Sequence, residues 1–434
     1  MTTAAEPRPA LEYEQEPTRT RYWVVVFAIV LAVVQYIDRV CISQAAPNIS
    51  ASLHLDKEQM GVVFSAFTLA YALFEIPTGY LGDVIGPRRV LTRVVLWWSL
   101  FTALTGAAWN WLALVVTRFL FGAGEAGCFP NLTKSFNRWL PAAERSRAQG
   151  IMWMSARWGG ALTPLLVYYC LQFLHNNWRL AFVLFGLLGI VWVIAFRSWY
   201  RDDPRQHPAV NAAEAALLPS DAETLALHGQ LPWARLYSSL TIWSLCVQYF
   251  AASYCWYFFI TWFPTYLLEV RRFNLKDSAL LAGLPLAFGG FGSVFAGWLA
   301  PVIARASGNV GGTRKGFGAL GFLAAAILLV VSTKLHNAYA AVVAIALVSF
   351  FNDVTLPGAW TACMDVGGRY CGTVSGTMNM MGNLGGFVSP IVIGYVVKHT
   401  GNWHLTFYIT AAVYVAGAVF WLLMDPVTPL EQQT

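Results

Sequence analysis

Seven ionisable residues stand inside otherwise apolar stretches of this 434-residue chain: Asp38, Arg39, Glu75, Arg118, Glu125, Arg157 and Asp353. A charge at the centre of a bilayer costs at least ~2.5–3.5 kcal/mol, so such groups normally face a cavity and do work there. Arg118 and Glu125 are seven residues apart, two turns along one helix face. They can share a cavity without a direct salt bridge, each taking another partner. Glu125 lies in Gly122-Ala123-Gly124-Glu125-Ala126-Gly127, whose small residues permit close helix contact and enclose the carboxylate. Enclosure favours the neutral acid, which suits a group that carries a proton. Asp38, in Tyr36-Ile37-Asp38-Arg39, is the second candidate of this kind. Guanidinium stays charged and grips a carboxylate with two parallel hydrogen bonds, so Arg39, Arg118 and Arg157 suit an anion. The same arginines also fit internal pairing with the carboxylates, Arg157 with Asp353 among them. Glu75 reads as a solvated or latch-related group near a helix end, and Asp353 as a structural group near the inner cavity.

The elements that must position these groups are membrane helices. Composition is 57% hydrophobic and 12% charged, against roughly a quarter charged in a soluble domain. Residues 23–37, 94–117, 158–174, 180–196, 241–268 and 338–352 carry no charge at all. A spanning helix needs about 20 mostly apolar residues. Twelve spans are predicted near 22–45, 59–81, 90–108, 111–135, 147–173, 179–199, 241–268, 278–304, 317–334, 338–363, 371–397 and 404–424. The fold class is therefore an all-α integral membrane protein of two six-helix halves. The boundaries are a tail over 1–21, a bundle over 22–199, a linker over 200–240, a second bundle over 241–424 and a tail over 425–434. Of the 28 Lys and Arg, 18 fall on the side of the N-terminus and linker, seven on the other, and three within spans. Basic residues stay in the cytoplasm during insertion, so both termini and the linker are expected there. No cleavable leader is expected, because the first 20 residues are polar and carry Glu6, Glu12, Glu14 and Glu16. The cysteines lie scattered in apolar segments without a C-x-x-C pair and are read as packing residues, with no disulfide, metal or cofactor. The formal charge of +6 follows from topology and calls for no nucleic-acid partner.

The turn between spans 2 and 3, Gly79-Tyr80-Leu81-Gly82-Asp83-Val84-Ile85-Gly86-Pro87-Arg88-Arg89, fits G-x-L-x-D-x-x-G-x-R-R. Glycines there allow close helix approach and a sharp turn. Asp83 can pair with a basic residue and cap a helix N-terminus, while Arg88 and Arg89 hold the loop at an anionic leaflet. This stretch resembles the helix 2–3 loop of the major facilitator superfamily, in which it latches the two halves together in one conformation. A degenerate copy is expected between spans 8 and 9, at Gly297-Trp298-Leu299 with Arg305, Arg314 and Lys315. Ala300 or Pro301 takes the acidic position there, which weakens that latch.

Within that superfamily, Tyr-x-Asp-Arg in span 1, Arg-x6-Glu in span 4 and Phe129-Pro130-Asn131 resemble the anion:cation symporter family. So do Arg138 to Ala148, residues 365–370 and Gly376 to Asn383. The resemblance implies a proton-coupled symporter of a small organic anion, above all a sugar acid (hexonate, hexarate or hexuronate), working as a monomer in the cell inner membrane. It implies Asp38 and Glu125 as the proton-binding pair, and Arg39 and Arg118 as groups that attract substrate or respond to those protons. Tyr71 would bond within the cavity, and Trp360 and Asn379 would face the sugar acid from the second half. Arg157 departs from the pattern of the galactonate carriers, where a neutral polar residue is expected. It fits either a second carboxylate on the substrate or a pair with Asp353.

Other readings are weaker on the residues. Drug–proton antiporters carry G-x-x-x-G-P-x-x-G-G in span 5, whereas this chain has Ser155 to Pro164 without it, and its cavity is rich in arginine. No H-E-x-x-H, G-x-S-x-G or P-loop marks an enzyme. Carriers of aromatic carboxylates or dicarboxylates stay open, as do sodium coupling and a non-transporting receptor.

Overall fold

The computed structural model describes residues 16–55, 57–218 and 233–432. Residues Glu6, Glu12 and Glu14 of the tail, and 219–232 of the linker, lie outside it. Twelve long helices carry the fold. They are α1 (Tyr22–Leu53), α2 (Lys57–Ile85), α3 (Pro87–Thr105), α4 (Trp111–Glu125, then Cys128–Trp139), α5 (Ala142–Phe173) and α6 (Trp178–Trp199). The second set is α7 (Leu240–Thr261, then Phe263–Glu269), α8 (Leu275–Ala282, then Leu284–Ser307) and α9 (Val310–Lys334). It continues with α10 (Ala338–Val354, then Leu356–Gly367), α11 (Cys371–Thr400) and α12 (Trp403–Leu423).

Local sequence sets many of these starts. Asn110, Asn177, Ser239, Asn309, Asn337 and Asn402 each accept a bond from a backbone N–H two or three residues on, opening α4, α6, α7, α9, α10 and α12. Such caps satisfy donors that a helix start leaves orphaned, which matters most where water is scarce. Gly86, at φ 86°, turns α2 into α3, and Pro87 fits the first helical position.

Several expected boundaries shift. The fourth span breaks at Ala126–Gly127, where Gly127 takes φ 81°, and then runs on to Trp139. The tenth breaks at Thr355, ahead of Pro357. The ninth begins at Val310 rather than 317, its glycine-rich first turns being helical under the Asn309 cap. By length and composition, eight described runs are apolar enough to cross a membrane, one of them covering Ala338–Val397. Three of the remaining helices are α3, α5 and α7: arginines dilute the first two, and aromatic hydroxyls and polar residues the third.

Packing repeats with an offset of six helices. α1 packs on α5 as α7 does on α11, α2 on α4 as α8 on α10, and α3 on α6 as α9 on α12. The two bundles meet through α2 with α11 and α5 with α8, again a symmetric pair. Outward faces carry large apolar side chains such as Leu162, Val191, Ile194 and Leu320, a belt suited to lipid. The linker starts by folding onto the first bundle. Glu214 is fully buried and accepts from Thr18 Oγ1 at 2.5 Å, Arg21 N at 3.0 Å and Arg21 Nη1 at 3.1 Å. Arg21 in turn bonds Glu144 at the start of α5. The face carrying the chain ends and this linker is called the linker face below.

Candidate functional site

Halfway along α1, Asp38 and Arg39 enter the interior on adjacent positions and reach different neighbours. Arg39 turns to α4 and donates to Glu125 Oε1 from Nε at 3.0 Å and from Nη2 at 2.8 Å. Its guanidinium also lies 4.8 Å from the Tyr71 ring centroid. Glu125 ends the first segment of α4 and is fully buried. It can sit so deep because Gly122 lies against the α2 backbone at Phe67, and Gly124 against Trp97. Asp38 is also fully buried, and neither oxygen has a hydrogen-bond partner at normal distance among the described residues. Arg118 stands near it with no ion pair among the described residues, its guanidinium 4.1 Å from the Phe121 ring centroid. Arg118 and Glu125 thus share one region without bonding each other, and Glu125 has taken Arg39 as its partner.

Arg157, at the middle of α5, reaches across to the second bundle. Its Nε donates to Asp353 Oδ2 at 2.7 Å and its Nη2 to Asp353 Oδ1 at 3.1 Å. Of the two sequence alternatives, pairing with Asp353 is the geometry present. The same guanidinium lies 4.3 Å from the Trp256 ring centroid of α7.

These groups border a central slot. Tyr36, Arg39, Tyr71 and Arg157 line it from the first bundle, and Tyr249, Trp256, Tyr257, Asn352, Asn379 and Asn383 from the second. Its free space is about 50 Å³, far below the roughly 300–1,000 Å³ of ordinary small-molecule sites. The ion pairs and aromatic rings therefore nearly fill it. Trp360 is not on its wall. It is fully buried one layer behind, donating to Tyr249 Oη at 3.2 Å and lying 5.4 Å from the Trp153 ring centroid. Asn379 is on the wall, but its Nδ2 donates to Glu75 Oε1 at 2.6 Å. Glu75 is therefore neither solvated nor at a helix end; it is fully buried ten residues before the end of α2 and joins the two bundles. The apolar run around it gave no sign of a partner, because that partner comes from the other half of the chain.

Towards the linker face the bundles close on each other. Gly79 faces Gly372 where α2 crosses α11, so closely that a side-chain carbon on either would meet the opposing backbone. Asp83 accepts from Gly372 N at 3.0 Å and from Thr373 N and Oγ1, both at 2.7 Å, at the N-terminus of α11. It also pairs with Lys134 of α4. Gly86 makes the turn, Arg88 Nη2 donates to the Arg197 carbonyl at 2.6 Å, and Arg89 is exposed. The degenerate copy works differently from expectation. Gly297 packs on Gly150 of α5, and Arg314 pairs with Asp365 at 2.6 Å, which Arg145 also meets at 3.1 Å. The acid missing from the loop after α8 is supplied from the end of α10.

This arrangement, two six-helix bundles with buried ion pairs where they meet, agrees with what known proteins show. The family model for the Major Facilitator Superfamily matches residues 28–390. The chain belongs to that superfamily. Within it, the relatives fall where the sequence motifs pointed, in the anion:cation symporter branch. A probable sulfoacetate transporter of Cupriavidus necator is 35% identical, covering 95% of this chain and 96% of its own. A probable galactarate/D-glucarate transporter of Escherichia coli is 29% identical over 96% of each chain. The hexuronate transporter of Bacillus subtilis is 26% identical, with 90% and 92% covered. Among solved structures, the proton:xylose symporter XylE superposes with a TM-score of 0.73 at 13% identity, covering 94% of this chain and 97% of that one. This superfamily member is thus a multi-pass membrane transporter and not an enzyme.

Proposed function

We propose that the chain is a proton-coupled symporter that imports a small organic anion by alternating access, a sugar acid being the first class to test. One observation carries the reading: Arg39, on the wall of the central slot, is held by the buried carboxylate of Glu125. An anion arriving at Arg39 competes with Glu125, and a proton on Glu125 removes that competition. Substrate and proton then favour each other's binding, which is the coupling a symporter needs. Asp38 and Arg118, just behind, form a second acid and base for the same exchange. Tyr71 steadies Arg39, and Asn379 reads hydroxyls once freed from Glu75.

In this reading the linker face is cytoplasmic, as the excess of basic residues there favours, and both tails and residues 200–240 lie in the cytoplasm. Asp83, Gly79, Gly86, Arg88 and Arg89 latch the molecule closed on the cytoplasmic side. The transporter works as a monomer, each bundle of 22–199 and 241–424 rocking about the central site. A second class is favoured by the sulfoacetate transporter's similarity: small anions bearing two acidic groups.

The test is uptake of labelled galactonate, galactarate, glucuronate and sulfoacetate into proteoliposomes under an inward proton gradient, comparing wild type with Glu125→Gln. Gradient-driven accumulation is expected in wild type and lost in the variant, with counterflow exchange retained. Accumulation that persists in Glu125→Gln sinks the coupling role.

A further inference from the structure

Arg157 is the second guanidinium on the slot wall, and its geometry separates it from Arg39. Arg39 is neutralised within the first bundle, but Arg157 is neutralised by Asp353 from the opposite bundle, through two parallel bonds of 2.7 and 3.1 Å. The Asp353 carboxylate sits in a built pocket. Asn352 Nδ2 donates to its Oδ1 at 2.8 Å, and a side-chain carbon on Gly289 of α8 would stand 2.6 Å from its Oδ2. The Nε–Nη2 edge of the guanidinium is thereby occupied by a carboxylate, the group that Arg binds best in this fork geometry, while Nη1 lies 3.5 Å from the Tyr36 hydroxyl.

We propose that Asp353 holds the place of a substrate carboxylate or sulfonate, and that the transported solute is a compact anion with two acidic groups, one for Arg39 and one for Arg157. This rests on the reading of the slot as the transport site. With about 50 Å³ free, a solute gains the Nε–Nη2 edge of either guanidinium only by displacing the carboxylate that covers it. A solute with one acidic group displaces Glu125 and leaves the Arg157–Asp353 pair shut. A solute with two opens both. Because the second pair joins α5 to α10, its opening also removes a tie between the bundles, so the second acidic group reports its presence to the movement of the halves. Trp256, 4.3 Å from Arg157, supplies a fixed aromatic face that keeps the guanidinium in place during the exchange.

The experiment measures affinity for matched ligands with the purified full chain, by calorimetry. Galactarate is compared with galactonate, and sulfoacetate with methylsulfonylacetate, which keeps the shape but loses one charge. Wild type is expected to prefer the two-headed member of each pair by about 10- to 100-fold, the worth of a charge-assisted pair of bonds. Arg157→Gln collapses that ratio towards one. Asp353→Asn, which removes the competitor and keeps the shape, tightens two-headed ligands about 10-fold. Because Arg157→Gln strands a buried carboxylate and can fail to fold, the Arg157→Gln/Asp353→Asn pair is measured as well, and its ratio must also fall to one. If the double variant regains the preference, the pair is a structural clamp and the proposal fails. Equal affinity for one- and two-headed ligands in wild type overturns the proposal but leaves the transport site standing. Binding of neither class, with Arg39→Gln silent, overturns both.

Discussion

Asp83 offers the sharpest quantitative test of how the linker face is held shut. Its carboxylate accepts three bonds from the second bundle, from Gly372 N, Thr373 N and Thr373 Oγ1, at 3.0, 2.7 and 2.7 Å. Lys134 belongs to the same bundle as Asp83 and stays beside it when the halves separate. Asp83→Asn keeps the shape but leaves one acceptor oxygen, which can serve the two Thr373 donors as a neutral acceptor while its NH2 faces the Gly372 N–H. A bond to a charged group contributes about 1.5–3 kcal/mol and a neutral one about 0.5–1.5, so the two retained bonds each lose about 1 kcal/mol and the third is lost outright. Together the losses amount to at least about 3 kcal/mol, or roughly a 150-fold shift toward the state open on the linker face. Cys371, fully buried at the start of α11 beside this contact, is a native reporter. With the other six cysteines replaced, its alkylation by an impermeant maleimide on inside-out vesicles scales with the open fraction while closing outpaces labelling. The expected increase for Asp83→Asn approaches 150-fold. An increase below threefold would refute the reasoning, because the three cross-bundle bonds would then carry no net preference for the closed state.

Two further outcomes follow from burial and pairing. Arg39→Met leaves Glu125 buried without its partner and should destabilise by about 3–5 kcal/mol. Arg118→Met removes a buried guanidinium that has no ion pair among the described residues, so its thermal midpoint should fall far less; equal losses in scanning fluorimetry would contradict this assignment of partners. Outside the membrane, burial acts against the Glu214 charge, but bonds from Thr18, the Arg21 backbone and the Arg21 side chain outweigh it and hold its pKa below the usual 4.5. A depressed folded pKa means that the stabilisation is complete above the unfolded value and is lost as pH falls through the folded one. Hydrogen exchange in residues 204–218 should therefore stay slow down to about pH 4.5 and rise below it, and in Glu214→Gln it should be fast even at pH 7.

The repeated fold was legible because a bilayer admits few structures: long uncharged runs mean helices, and the polar break at 200–240 separates two sets of six. The turn that carries Asp83 was legible because its own residues are local, although the helix it caps belongs to the other bundle. Asp83, the glycines and the arginines lie within eleven residues, so spacing alone shows a turn carrying an acid able to cap a helix. Interior partners were harder. Asp353 lies 196 positions from Arg157, and Asn379 lies 304 from Glu75. Periodicity says which side chains face inward but not which face one another across two bundles. Glu75 was misplaced on that account. Trp360 was placed on the slot by its relation to a family pattern, whereas three aromatic neighbours hold it one layer back. Asp365 was passed over because the loop after α8 lacks an acid, and nothing local indicates that α10 provides one.

For the proposed symport, counting charge at the centre gives a reason for an anion and protons to travel together. Arg39, Arg118 and Arg157 contribute three positive charges, while Asp38, Glu75, Glu125 and Asp353 offer four carboxylates, all of them buried. With every carboxylate ionised the centre is already one negative charge in excess. Adding an anion with one acidic group makes the excess two, and a two-headed anion makes it three. Each uncompensated charge in the apolar interior costs at least ~2.5–3.5 kcal/mol, and no further cation comes from the helices to offset it among the described residues. In the proposed mechanism the loaded centre therefore lowers its energy by taking protons onto its carboxylates. In the proposed symport Glu125 is the carboxylate that an anion arriving at Arg39 strips of its partner, so it is the group on which the proton is needed when the site is loaded. Release runs the argument backwards: once the anion leaves, Arg39 re-forms its bonds with Glu125, whose proton departs on the side where the anion departed.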